Sequence, residues 1–245
     1  MSLPQRYELK YLVPERIAQA VREAAAPYVQ PDEHSPADPR DGYPVCSLYL
    51  DSLDWLLFRH TVEGRRQRFK LRVRLYDDHP DSLAACEIKH RHGQVVVKQR
   101  VLVPRTIVEE ALLGHVREFA EFSGIDCADY SESSAVWREF WRLRDQIAAA
   151  PKLYVIYKRE AYLGRQDRHA RVTFDRQLLG SGYLSGQLLR VPPTGIAPAV
   201  RHVVLELKFD ERFPHWMHQL VQRFQLERVS MPKYVECVRA CSLLK

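Results

Sequence analysis

Residues 68–76 read RFKLRVRLY, and their side chains alternate between basic and apolar. In an extended chain the basic side chains share one face and the apolar side chains share the other. The basic face holds Arg68, Lys70, Arg72 and Arg74, and the opposite face holds Phe69, Leu71, Val73 and Leu75. This pattern predicts a β-strand with one buried face. A single strand of this kind commonly turns its polar face to water.

Seven other segments alternate in a similar way. They are RYELK (6–10), SLYLD (47–51), CEIKHR (86–91), QVVVKQRVLV (94–103), LYVIYKREAY (153–162), HARVTFD (169–175) and VVLELKFD (203–210). The chain therefore contains eight candidate strands, and most of them carry basic residues on the polar face.

Helical spacing of apolar residues predicts helices within 15–25, 106–124, 131–150 and 215–225, and another beginning near Ser230. Thr106 and Glu109 have the spacing of a capping box, and Ser230 is a candidate N-cap with Pro232 in the first turn. The proline-rich stretch 30–44 predicts a surface loop. Strands with inserted helices, lacking a regular strand–helix–strand alternation, indicate an α+β fold with a mostly antiparallel sheet and a single domain over residues 1–245.

The formal net charge of +6 favours an anionic partner, either nucleic acid, a phosphate-rich metabolite or a membrane surface. Five cysteines are scattered along the chain without a CxxC pair, which is typical of a reducing compartment. There is no run of roughly 18 apolar residues and no signal-peptide pattern. These features predict a soluble, cytoplasmic protein. Walker A and GxGxxG motifs are also absent from the sequence.

Eight strands with basic faces can close into a barrel with a charged interior and helices packed outside. The cations that would converge there are Arg6, Lys10, Arg68, Lys70, Arg72, Arg74, Lys89, Arg91, Lys98, Arg100, Arg159, Arg171 and Lys208. Glu8, Glu87 and Glu206 share the polar faces but are too few to neutralise this set. Enclosed like charges need partners, and phosphate oxygens suit both arginine and lysine.

Carboxylates within such an interior could hold Mg²⁺ or Mn²⁺, which bridges phosphate oxygens. For Glu206, a salt bridge to a neighbouring lysine is an equally good interpretation of the spacing.

The segments RYELKY, SLYLD, RFKLRVR, CEIKHR, YKREAY, RVTFD, LELKF and MPKY, in this order, resemble the VTC domain of polyphosphate polymerases. That domain belongs to the triphosphate tunnel metalloenzyme superfamily, which is also called CYTH-like. The resemblance runs from about Arg6 to Tyr234. It implies an eight-stranded tunnel that binds ATP and polyphosphate and transfers the ATP γ-phosphoryl group to a growing phosphate chain.

The resemblance also implies roles for individual residues. Positions that match phosphate-contacting residues of such domains are Lys10, Arg72, Arg74, Lys89, Arg159, Arg171 and Lys233. Weaker candidates for phosphate binding are Arg6, Lys70, Arg91, Lys98, Arg100 and Lys208. Glu206 matches the metal-binding glutamate, and Glu8 and Glu87 are weaker metal candidates. The implied cofactor is Mn²⁺ or Mg²⁺.

Two departures from the family pattern affect this interpretation. The hydrolytic branch of the superfamily opens with two alternating glutamates before the lysine, whereas Arg6 stands at the first position here, which argues against a triphosphatase. Met231 and Pro232 precede Lys233 where a serine is more usual. A membrane partner for translocation would be a separate protein, and no specific nucleic acid is expected. The alternatives are a tunnel triphosphatase or nucleotide cyclase, and a non-catalytic module that binds polyphosphate or nucleic acid.

Overall fold

The computed structural model describes residues 6–114, 130–200 and 202–244. Nine strands lie in these ranges: β1 (Arg6–Val13), β2 (Val29–Pro31), β3 (Tyr43–Asp51), β4 (Gln67–Leu75), β5 (Leu83–His92), β6 (Val95–Pro104), β7 (Ala150–Gly164), β8 (Arg171–Gly182) and β9 (Val203–Asp210). The same ranges contain the helices α1 (Glu15–Ala25), α2 (Leu56–Val62), α3 (Arg105–Leu112), α4 (Tyr130–Gln146), α5 (His215–Arg223) and α6 (Lys233–Ala240).

Eight of the strands close into an antiparallel barrel. The order around the barrel is β7, β3, β4, β5, β6, β1, β9 and β8, and β8 returns to β7. The short strand β2 pairs with the end of β7 outside this ring. The predicted α+β fold, with an eight-stranded antiparallel barrel flanked by helices, is confirmed.

The outer face of the barrel is apolar and is covered by helices, which explains why the polar faces point inward. On β4, Leu71 and Val73 are fully buried in the same core cluster as Trp137 and Phe140 of α4. On the other side of the barrel, Val21 of α1 and Met217 and Leu220 of α5 pack in a second cluster with residues of β1, β8 and β9. Removal of this apolar area from water fixes which face of each strand is enclosed.

Helix α6 occupies part of one end of the barrel. Its Tyr234, Val235 and Val238 form a third apolar cluster with inward-facing residues of β3, β7 and β8. Gly180 on β8 permits this close approach, because a Cβ atom there would lie 2.9 Å from the Cβ atom of Cys237. The interior is therefore apolar beside α6 and polar elsewhere.

Both predicted helix caps are wrong. Helix α3 begins at Arg105 after Pro104, so Thr106 lies inside the first turn, and Glu109 accepts a hydrogen bond from the Leu189 amide at 2.6 Å. Helix α6 has Pro232 as its N-cap residue, without a side-chain cap from Ser230. The part of the predicted 106–124 helix beyond residue 114 lies outside the described residues.

Helix α2 was not predicted from the sequence, and a buried carboxylate explains its position. Asp51, at the end of β3, is fully buried and accepts hydrogen bonds from the amides of Leu57 and Phe58 at 2.8 and 2.9 Å. It therefore binds amides at the start of α2 that have no partner within the helix. The same carboxylate accepts a bond from the Tyr234 hydroxyl at 2.9 Å, which connects α2 to α6.

The proline-rich stretch 30–44 is more ordered than the predicted surface loop. It contains the end of β2, a 3₁₀ turn over Pro39–Asp41 and the start of β3. Asp32 in this stretch is buried and accepts a hydrogen bond from the Tyr43 hydroxyl at 2.9 Å. The prediction overlooked these tertiary contacts.

None of the helices in the described ranges combines the length and the hydrophobicity needed to span a lipid bilayer.

Replacing Asp51 by alanine should lower the free energy of unfolding by about 3 kcal/mol, because four buried hydrogen-bond donors, the amides of Ser52, Leu57 and Phe58 and the Tyr234 hydroxyl, lose their acceptor. Tyr234→Phe removes one of these bonds and should cost about 1 kcal/mol. Urea unfolding followed by circular dichroism measures both changes. Wild-type stability in the Asp51 variant would show that the carboxylate does not hold α2 and α6 together.

Candidate functional site

The barrel encloses a cavity of about 670 Å³, which we call the lumen. The lumen is lined by all thirteen cations that were predicted from the strand pattern to converge. Lys233 and Arg228 line it as well. The lining contains fifteen lysine and arginine residues against four aspartate and glutamate residues, which are Glu8, Asp32, Glu33 and Glu206. The lumen thus has a large excess of positive charge.

Strand register places like charges directly opposite each other. Lys70 on β4 faces Lys89 on β5, and Lys89 faces Lys98 on β6. At the same end of β4, Arg68 faces Arg91. Like charges in such cross-strand pairs repel one another and destabilise a sheet. This register therefore favours the binding of an anion that contacts several of these side chains at once.

Glu206 is the centre of charge compensation in the lumen. Its side chain is only 3% exposed, and its carboxylate lies 2.6 Å from the ammonium groups of both Lys208 and Lys233. Lys10 is 3.2 Å away and Arg159 is 3.4 Å away. Burial opposes ionisation of this carboxyl, but the surrounding cations hold its pKa well below the usual value. Glu206 is therefore ionised at neutral pH.

The two weaker metal candidates occupy different environments. Glu8 lines the lumen and contacts Lys89 at 2.8 Å and Lys10 at 3.1 Å. Glu87 is fully buried, and it contacts Arg72 at 2.6 Å and Lys98 at 2.5 Å. Glu87 is not among the residues that line the lumen. Its charge therefore acts on bound anions through the cations that it positions.

Asp175 is a buried residue beside the lumen that the sequence reasoning did not select. Its carboxylate accepts two hydrogen bonds from Arg159, at 2.7 and 2.8 Å, and lies 2.6 Å from the Lys233 ammonium. Burial opposes its ionisation, but Arg159 and Lys233 lower the pKa of Asp175. The sequence did contain a sign of this position, because Asp175 lies on the polar face of the predicted strand HARVTFD (169–175). Asp175 and Glu206 together hold Lys233 at the start of α6.

The remaining candidate cations have partners around the lumen. Arg74 donates to the Ser47 hydroxyl at 3.3 Å and Arg171 to Asp32 at 3.3 Å, whereas Arg6 donates to Asp210 at 3.1 Å. Arg100 lies over the Tyr76 ring at 5.3 Å. The structure therefore brings all predicted cations to one space, while their roles in binding remain predictions.

Lys70 differs from its neighbours because no carboxylate of the described residues lies within 4.0 Å of its ammonium. Its nitrogen lies 5.9 Å from the centre of the Tyr234 ring. Burial, together with Lys89 and Lys10, lowers the pKa of Lys70 well below the usual value. A bound anion would relieve this repulsion, which makes Lys70 a strong candidate contact for phosphate.

The described residues do not contain three His, Cys, Asp or Glu side chains grouped closely enough to hold a metal ion by themselves. Mg²⁺ commonly needs only one or two carboxylates when phosphate oxygens and water complete its coordination. Glu8 and Glu206 both line the lumen, and each lies within hydrogen-bonding distance of the same Lys10 nitrogen, at 3.1 and 3.2 Å. These two carboxylates fit an ion whose other ligands are phosphate oxygens and water.

Comparison with protein families gives one match, in which the model of the VTC domain matches residues 5–242. A search of curated proteins finds no match.

The solved structures that are similar to this chain include the following two. A candidate adenylate cyclase from Bacillus halodurans is 12% identical with a TM-score of 0.50, and the alignment covers 95% of this chain and 96% of that chain. The Mediator head module of Schizosaccharomyces pombe contains a chain that is 10% identical with a TM-score of 0.41, covering 90% of this chain and 91% of that chain. The first likeness supports the barrel fold alone, and the second carries no argument.

Anion binding in the lumen should weaken as the pH rises through the pKa of Lys208. Burial lowers this pKa to about 8, although Glu206 opposes the shift. The positive charge is present below that pH and is lost above it, so binding at higher pH must take up protons. We expect the affinity for tripolyphosphate to fall several-fold from about pH 7 to about pH 9. Isothermal titration calorimetry in buffers of different ionisation enthalpy measures both effects.

Lys208→Arg is the matched control, because arginine stays charged over this range. The difference between the variant and the wild type also cancels the titration of the ligand. Equal pH dependence in the two proteins would contradict the role of Lys208.

Proposed function

The chain belongs to the VTC domain family, and on this premise we propose that it is an ATP-dependent polyphosphate polymerase. It transfers the γ-phosphoryl group of ATP to a phosphate chain inside the lumen. The observation that carries the proposal is the enclosure of fifteen cations with only four lining carboxylates in one barrel. A linear phosphate chain offers the repeated negative charge that this interior lacks.

The reaction needs alignment and charge neutralisation more than a protein nucleophile. The attacking atom is a terminal phosphate oxygen of the acceptor, and the bond that breaks joins the γ-phosphorus to the β,γ-bridging oxygen. Lys70, Lys89 and Arg72 line the lumen on neighbouring strands and would contact the phosphates. Because they are fixed by strand register, they can stabilise charge that develops during transfer without first reorganising.

Lys10 and Lys233 contact Glu206 from opposite elements, β1 and the start of α6. In our proposal Glu206, together with Glu8, would hold Mg²⁺ or Mn²⁺. Such an ion, when bound, would supply positive charge that neutralises the phosphate oxygens. Ionised Glu206 raises the pKa of Lys10 against the effect of burial, and Asp175 and Glu206 together raise the pKa of Lys233, so both ammonium groups stay charged.

Arg6 supports synthesis over hydrolysis in this proposal. It carries a positive charge at the start of β1 and is bound by Asp210 at 3.1 Å. An additional carboxylate at this position would favour metal-assisted attack by water, whereas arginine favours retention of an anionic acceptor.

The proposed ligands are ATP together with either polyphosphate or inorganic phosphate. The proposed location of the protein is the cytoplasm. Export of the product across a membrane would use a separate protein, and we do not propose a specific nucleic-acid ligand.

Incubation of the protein with γ-labelled ATP, a short polyphosphate primer and Mn²⁺ or Mg²⁺ should yield labelled chains of increasing length. Chelation of the divalent ion should abolish this product while tripolyphosphate binding persists, because the lumen cations remain. Gel electrophoresis resolves the products. Labelled orthophosphate alone would indicate a triphosphatase, a cyclic nucleotide would indicate a cyclase, and binding without turnover would indicate a binding module; each result would overturn the polymerase proposal.

Glu206→Gln should lower the rate of polymer formation by about a hundredfold, by analogy with the loss of one electrostatic transition-state contact. The same variant should bind tripolyphosphate as tightly as the wild type or more tightly, because the lumen loses a negative charge. Steady-state kinetics and calorimetry separate these two effects.

Glu15→Gln is the matched control, because Glu15 is on the outer helix α1 and pairs with Arg176 at 2.8 Å. It should leave the rate unchanged. Full activity in the Glu206 variant would remove the proposed metal role.

A further inference from the structure

The positive charge of the lumen is distributed unevenly between the two ends of the barrel. At the end where β4 begins and β5 ends, Arg68 faces Arg91 directly and Lys70 faces Lys89. Of these four, Lys89 alone has a carboxylate of the described residues within 4.0 Å, Glu8 at 2.8 Å. Arg68 donates to the Arg65 carbonyl and Arg91 to the Gly93 carbonyl. These backbone bonds fix the two guanidinium groups without neutralising them.

Cations toward the opposite end of the barrel are compensated by carboxylates. Arg171 contacts Asp32 at 3.3 Å, Arg159 contacts Asp175 at 2.7 Å and Arg6 contacts Asp210 at 3.1 Å. The electrostatic attraction for an anionic chain is therefore strongest toward the start of β4.

A groove of about 620 Å³ lies on the surface next to this end of the lumen. Arg68 and Arg91 line both the lumen and the groove, and Arg66 and His92 extend the groove outward. The turn between β5 and β6 is fixed to the chain before β4, because the Gly93 amide donates to the Arg66 carbonyl at 2.8 Å. The groove therefore adjoins the lumen at Arg68 and Arg91, and one backbone hydrogen bond holds its two edges together.

Helix α6 explains why a chain would take this route. The helix packs against inward-facing residues of β3, β7 and β8, including Val45 and Leu178, and so fills that side of the same end of the barrel. The lumen-lining residues Arg68 and Arg91 are on β4 and β5, away from this apolar cluster. The passage that remains polar thus leads directly to the groove.

We propose that the groove at Arg66, Arg68, Arg91 and His92 binds a linear phosphate chain where it passes out of the lumen. This inference rests on the proposed function and adds a binding site outside the barrel with a direction for the chain. Within the described part of the groove, His92 provides the only aromatic ring. A phosphate chain, which needs cations and no stacking platform, suits this lining better than a nucleic acid.

The test compares a long polyphosphate with tripolyphosphate, which is short enough to remain in the lumen. Arg66→Glu changes an exposed side chain outside the lumen lining. It should weaken binding of the long chain by about tenfold, with a shallower salt dependence, and leave tripolyphosphate affinity unchanged. Products made by the variant should also be shorter than those of the wild type.

Arg168→Glu is the matched control, since Arg168 is also an exposed arginine and is in the turn between β7 and β8 at the opposite end of the barrel. It should leave both affinities unchanged, and thermal unfolding checks that both variants fold. Unchanged long-chain affinity in Arg66→Glu would overturn the inference. So would a loss in Arg168→Glu, or a loss of single-stranded oligonucleotide binding with polyphosphate binding intact. A wild-type protein that binds tripolyphosphate and elongates it, combined with an unaffected Arg66 variant, would remove the groove and leave the proposed function standing.

Discussion

The enclosure of many like charges in one barrel is the constraint on which the rest of the structure depends. Isolated charges inside a protein cost several kcal/mol each, even after relaxation. This chain meets that cost with a few shared carboxylates, and Glu206 alone contacts Lys10, Lys208, Lys233 and Arg159. The carboxylates are fewer than the cations, so part of the positive charge remains available to a ligand.

The apolar exterior makes this arrangement stable. Three apolar clusters surround or enter the barrel, and they bury Trp137 and Phe140 of α4 completely. Burial of these side chains is favourable for folding, and this free energy offsets the repulsion between like charges in the lumen. The same packing positions the site, since the bond from Tyr234 to buried Asp51 holds α6 where Lys233 reaches Glu206.

Carboxylates neutralise the cations at one end of the lumen more than at the other, and this difference links the fold to the proposed reaction. Carboxylates accompany the cations on β8, β9 and β1, whereas Lys70, Arg68 and Arg91 have none of the described carboxylates within 4.0 Å. An anionic chain in the lumen is therefore drawn toward the start of β4. In the proposed polymerase, this gradient would move the growing chain away from the carboxylates that hold the metal ion.

The sequence by itself determined the barrel strands and the composition of their polar faces, because period-two alternation is a local property that survives in the fold. It therefore placed Lys10, Arg72 and Lys89 on inward faces. Only the tertiary structure decided which cations are neutralised. The contacts of Asp175 with Arg159 and Lys233, and of Asp51 with α2 and α6, join residues from separate elements. Such contacts depend on barrel closure and helix docking, which no local spacing in the chain encodes.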